Sequence, residues 1–155
     1  MKKLIVLALA AVSMSAQAAD WYFLNTSNRN AAHYFDAATI IRNGSQIDVW
    51  MKNARLFSPN PSTQAWTVTV RWRIDCAART LQSLSSSWHD EKDGLLFSEN
   101  KVGALSLIAP ESAADAWHAM LCDKQFPRPQ SDQYFKVANL SVFHNVVRQA
   151  YSEVK

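Results

Sequence analysis

Glycine is scarce here, with three residues in a chain of 155. A loop that cradles phosphate needs several backbone amides brought together with no side chains in the way, so this scarcity argues against a nucleotide enzyme. Cysteine is scarcer still: Cys76 and Cys122 stand alone, and no CxxC pair offers thiol redox chemistry. The four histidines, His33, His89, His118 and His144, are scattered, without HExxH or a second histidine at i+4. No serine lies in GxSxG, so the common hydrolase signatures are missing. Like charges never gather into a block of five or six, and beyond residue 18 no apolar run approaches the ~20 residues of a spanning helix.

What is present begins with an export signal in three zones. Lys2 and Lys3 precede an apolar run from Leu4 to Val12, and small residues end in Ala16-Gln17-Ala18. Residues 1–18 are expected to be a signal peptide cleaved before Ala19, and no cysteine at that point offers a lipid attachment site. The precursor carries 16 Lys and Arg against 13 Asp and Glu, a formal charge of +3 with a pI near 9.0. Loss of Lys2 and Lys3 leaves 14 basic against 13 acidic residues, a charge of +1. A nearly neutral exported chain is a poor partner for nucleic acid. The expected location is the periplasm or the cell surface.

About 137 residues remain, enough for one domain with a core and too few for two ordinary ones. An even cysteine count in an exported chain reads as a disulfide, against two free thiols in metal or redox work. Joining Cys76 to Cys122 would close a loop of about 47 residues, which the chain-entropy account values at ~4 kcal/mol.

Strand signals dominate the first half. Trp21 to Leu24 reads as a first strand, followed by a polar turn from Asn25 to Asn30. Ala32 to Asp36 and Gln46 to Lys52 read as strands flanking a turn at Arg42-Asn43-Gly44. Pro59 and Pro61 make Phe57 to Gln64 a loop. From Trp66 to Asp75, Trp66, Val68, Val70, Trp72 and Ile74 alternate without exception with Thr67, Thr69, Arg71, Arg73 and Asp75. That is an antiparallel strand with one buried face. Thr80 to Trp88 is its expected hairpin partner, Asp90 to Gly94 a tight acidic turn, and Leu95 to Ile108 either a bent strand or irregular chain.

Helices follow. Ser112 and Asp115 fit a capping box opening a helix from Ala113 to Asp123, with Ala113, Ala116, Trp117, Met120 and Leu121 on its apolar face. Ser131 or Asp132 is placed to cap a second helix over 133–154, whose Leu140, Phe143, Val147, Ala150, Tyr151 and Val154 recur at helical spacing. The fold class expected is α+β: an antiparallel β-sheet with one or two packed helices and one disulfide. Residues 19–124 would form the main domain, and 125–155 a connector and amphipathic helix packed on it.

No catalytic residue, cofactor or metal site is assigned. His89-Asp90-Glu91-x-Asp93 is the one dense ionisable cluster, and its spacing is not that of a calcium loop. A partner-binding surface is expected at Arg71 and Arg73, whose guanidinium forks suit carboxylates, with Arg79 and Trp50 beside them. The alternative is a solvated face in which the arginines pair with Asp48 or Asp75. Trp50 lies on that polar side of its strand, so it is either covered by a helix or exposed as a contact residue.

Several segments together carry a family likeness. Tyr34-Phe35-Asp36-Ala37-Ala38-Thr39-Ile40-Ile41-Arg42-Asn43-Gly44, Val49-Trp50, Ile74-Asp75-Cys76 with Arg79, and Ala109-Pro110-Glu111-Ser112 with Trp117 and Cys122 resemble the surface-adhesin protein E family of Gram-negative envelope proteins. The likeness spans about Trp21 to Asp123. It departs at Ala37, where proline is frequent, and at Glu111, where glycine is usual. The resemblance implies a non-enzymatic exported binding domain, and in the named member an adhesin for host extracellular-matrix proteins and plasminogen. The partner expected here is a protein, either a host matrix protein or an envelope component, or a second copy of the chain as a homodimer. The alternatives are a periplasmic structural or accessory protein and, last, a small periplasmic hydrolase.

Overall fold

The computed structural model describes residues 19–27, 30–127 and 134–152. The expected leader, Ser131, Asp132 and Val154 lie outside them. In chain order the elements are β1 (Trp21–Ser27), β2 (Ala31–Asp36), a 3-10 turn (Ala37–Thr39), β3 (Ile41–Asn43), β4 (Gln46–Arg55), β5 (Thr67–Asp75), β6 (Thr80–His89), β7 (Leu95–Glu99), β8 (Ser106–Leu107), α1 (Ala113–Leu121), β9 (Phe135–Lys136) and α2 (Leu140–Ser152). The strands form one sheet in the order β7-β6-β5-β4-β2-β1-β9, with β3 also on β4 and β8 also on β6. Every pairing is antiparallel. The class is α+β, with two α-helices among the described residues and one disulfide.

The register divides the sheet into two faces. Phe35, Met51 and Val70 stand side by side, as do Val49 with Trp72 and Ile47 with Ile74. Against this face α1 packs Trp117, Met120 and Leu121. Tyr34, Lys52 and Thr69 share the opposite face, next to Ala32 and Ala54. There α2 sets Leu140, Phe143 and Val147 against Ala32, Tyr34, Ala54 and Leu56. β2 is therefore covered from both sides and buried at all six positions. A doubly buried strand has no polar face to alternate with its apolar one, so it lacks the period-two pattern of β5.

Several boundaries differ from the sequence reading. β1 runs to Ser27, through residues expected to turn, because Asn25, Thr26 and Ser27 pair with His33, Ala32 and Ala31. Ile41–Asn43, expected as loop and turn, is a strand on Gln46, Ile47 and Asp48, and the reversal narrows to Gly44 and Ser45, with Gly44 at φ +60°. The stretch after the acidic turn resolves into β7 and β8 with irregular chain between them.

In α1 the Ser112 hydroxyl accepts from the Asp115 amide as expected (3.1 Å), but Asp115 accepts from the Glu111 amide (3.0 Å) rather than from that of Ser112. Ala116 is exposed, and Ala114 faces the core in its place, beside Ala113. The second helix begins at Leu140, not 133. Phe135 and Lys136 instead extend the sheet beside β1, and the Asn139 carboxamide caps the helix by accepting from the Val142 amide (3.1 Å). Ala150, placed on the apolar face by its spacing, is exposed.

The end of α1 is tied to the sheet three ways. Cys122 is bonded to Cys76, with Cα atoms 5.6 Å apart. His118 Nε2 donates to the Cys76 carbonyl at 3.2 Å. Arg42, carried by β3, donates to the carbonyls of Leu121 (2.9 Å), at the helix end, and Asp123 (3.3 Å), just beyond it.

Candidate binding surfaces

Alternation along β4 and β5 puts Asp48, Trp50, Arg71 and Arg73 on one face, with Asp48 opposite Arg73 and Trp50 opposite Arg71. Both arginines turn to Asp48. Arg73 grips it with Nε on Oδ1 (2.8 Å) and Nη2 on Oδ2 (2.9 Å), and Arg71 Nη2 adds a bond to Oδ2 (3.0 Å). Hydrogen bonding by Arg73, reinforced by the charge of both arginines against the opposing effect of burial, holds the Asp48 carboxyl below its usual range. Asp48 is 7% exposed, whereas the arginine side chains remain about two-fifths exposed. The triad carries one net positive charge on an open face. Trp50 is half-buried at its edge, with its amide donating to Thr39 Oγ1 (3.1 Å).

Arg79 does not join this group. It sits in the β5–β6 turn at φ +50° and donates to Asp115 Oδ1 at 2.6 Å, which directs it to α1 on the opposite face. Of the four expected surface residues, the fold thus brings together Trp50, Arg71 and Arg73.

The acidic turn is drawn in separate directions. Asp90 Oδ1 accepts from the Lys92 and Gly94 amides, both at 2.8 Å, and shapes the turn itself. Glu91 pairs with Arg148 of α2 (3.2 Å), and Asp93 lies 3.7 Å from Lys52. Among the described residues no group of three or more histidine, cysteine or acidic side chains is placed to hold a metal ion. Behind this turn a cavity of about 120 Å³ reaches Tyr34, Lys52 and His144. The Tyr34 hydroxyl lies 3.1 Å from His144 Nδ1, and burial raises the tyrosine pKa well above its usual value.

One surface gave little signal in the sequence. Leu95, Leu96, Phe97, Val102, Leu105 and Leu107 are all large, apolar and between 42% and 81% exposed. They line one border of the sheet, where β7 pairs with the second half of β6 and β8 with its start. Six such side chains within thirteen residues form a patch of the kind that marks a protein-interaction site. A run read as ambiguous between bent strand and irregular chain could not reveal its exposure.

The model of the family described as surface-adhesin protein E matches residues 21–123. No curated protein sequence matches. Among solved structures, this chain is similar to Haemophilus influenzae protein E in crystal form II, at 16% identity over 58% of this chain and 79% of that one, with a TM-score of 0.44. It is also similar to protein E from non-typeable Haemophilus influenzae, at 13% identity over 86% of this chain and 89% of that one, with a TM-score of 0.46.

Proposed function

The chain belongs to the surface-adhesin protein E family, and on that premise we propose that it is an exported, non-catalytic domain that binds a protein partner at the cell envelope. The observation that carries this reading is the apolar border from Leu95 to Leu107, six large side chains left uncovered beside a sheet that holds a packed cluster on each face. Apolar surface of this extent is unfavourable in water and is retained where a partner removes it from solvent. The Arg71–Asp48–Arg73 triad offers a second contact, a face with positive excess suited to an acidic rim on the partner.

The finer proposal is that the partner is a host extracellular-matrix protein. No helix among the described residues is long and apolar enough to cross a membrane. Surface display would therefore rest on peripheral attachment or on a route outside these residues. The test is antibody labelling and protease shaving of intact cells, with a periplasmic marker as control. Labelling and cleavage on intact cells support adhesion and direct the search to matrix proteins and plasminogen. Full protection overturns the host-binding proposal and makes another periplasmic component the partner to seek.

A further inference from the structure

The sheet ends at β9 on one side and β7 on the other. β9 is two residues long and leads at once into α2, so it offers little open edge. β7 has five residues and pairs with β6 alone among the described residues. Open strands of this length are usually guarded by proline, by charge or by covering chain, because their free amides and carbonyls template further pairing. Between Gly94 and Glu99 the border carries no charge and no proline. Its guards are the charge of Glu99 at the strand's end and an irregularity at Leu96, which lies between Leu95 opposite His89 and Phe97 opposite Trp88.

The side chains on this border point to what it takes. Phe97 stacks on Trp88 with ring centroids 4.2 Å apart and planes 13° from parallel, so the aromatic row crosses from β6 to the outermost strand and stops there. Trp88 shares its face with Val68, and His89 shares the other with Thr67. Phe97 and Leu95 therefore put apolar groups on both faces of the open edge. Glu99 ends the strand and Lys101 stands just beyond it, one of each sign.

We propose that this border takes an extended segment of another protein as an added strand. The segment's main chain pairs with β7, its uncharged central residues alternate to meet Phe97 on one face and Leu95 on the other, and an oppositely charged pair follows at the Glu99 and Lys101 end. The proposal rests on the protein-binding reading above and names its site and mode.

A photo-crosslinking amino acid placed singly at Ser98, Leu96 or Arg71 of the full chain in living cells, alone and supplied with host extracellular-matrix proteins, tests it, with the crosslinked segments sequenced by mass spectrometry. The expected result is crosslinking from Ser98 and Leu96 to one continuous stretch of a different protein. The Ser98 yield should fall at least tenfold when Leu95→Lys and Phe97→Lys are added, with Cys76 and Cys122 still oxidised as the check on folding. A synthetic peptide of the captured stretch should then slow amide exchange in Leu95–Glu99 of the purified protein. Crosslinks from Ser98 to a second copy of the chain overturn another protein as the occupant, and a peptide that leaves those amides unprotected overturns strand addition. Crosslinks from Arg71 alone overturn this inference while leaving the protein-binding reading intact. Absence of protein crosslinks from all three positions overturns both.

Discussion

Tyr34 Oη and His144 Nδ1 lie 3.1 Å apart and join the middle of β2 to α2 across 110 positions of sequence. The imidazole also hydrogen-bonds to the Arg55 backbone. Burial, with the nearby charges of Arg148 and Lys52, lowers its pKa against the opposing effect of the Arg55 bond. His33, beside Asn53 and Trp117, is lowered by burial as well. A histidine whose folded pKa lies below its unfolded value is protonated first in the unfolded chain. Its contribution is therefore intact above about pH 6.5 and is lost as pH falls from there toward the folded value.

The domain should accordingly melt at a lower temperature at pH 5 than at pH 7.5. Each unit of depression removes about 1.4 kcal/mol once both states are protonated. His144→Gln, whose amide can still meet Tyr34, should show a smaller loss between the two pH values. Calorimetry at both pH values checks this, and a loss as large as that of the parent would exclude His144 as a contributor.

The Asp48 triad gives a prediction of a different form. Replacing Arg71 and Arg73 together with serine leaves a nearly buried carboxylate without its charged donors. The stability loss should be about 1–2 kcal/mol, taken from the value of hydrogen bonds to charged groups and reduced for the partly open face. Adding Asp48→Asn removes the stranded charge and should restore most of that loss. If the double variant melts like the parent, the triad is a surface arrangement without energetic consequence.

Removing the disulfide by Cys76→Ser with Cys122→Ser should cost about 4 kcal/mol by the loop-entropy relation. Two tethers of α1 remain, the His118 bond to the Cys76 carbonyl and the Arg42 bonds to the helix end. The reduced protein should therefore keep its helical circular dichroism at low temperature while its urea midpoint falls. Loss of helix signal without denaturant would mean that those tethers cannot hold α1 unaided.

What could be read from the sequence follows the contrast between the two sides of each element. β5 was legible residue by residue because one face packs under α1 and the other faces water beside Asp48. The Ser112 cap of α1 was legible because capping is local, within three residues. β2 was legible as a strand without its burial, since two helices cover it. β3 and β9 depend on partners remote from their own composition: Ile41–Asn43 is a strand because β4 is there, and Phe135–Lys136 because β1 is. The arginine surface was legible as a face, yet the choice between an open guanidinium pair and one bound to Asp48 depended on a cross-strand register. The apolar border was least legible, because exposure is a property of what fails to cover a residue.

Glu111 supplies the last prediction. It occupies φ +60°, in the left-handed region where a side chain crowds its own backbone. The conformation is forced by the turn into α1, where the Glu111 amide must reach Asp115 Oδ2 at 3.0 Å while the other carboxylate oxygen accepts from Arg79. Glu111→Gly keeps that amide and relieves about 1–2 kcal/mol of backbone strain, against roughly 0.5–1 kcal/mol of added chain entropy in the unfolded state. The expected gain is about 0.5–1 kcal/mol, a rise of a few degrees in melting temperature. Glu111→Ala retains the strain and loses only the exposed carboxylate, so it should leave stability nearly unchanged. Thermal melts of the two variants side by side separate the backbone effect from the charge effect, and equal shifts in both would assign the change to charge.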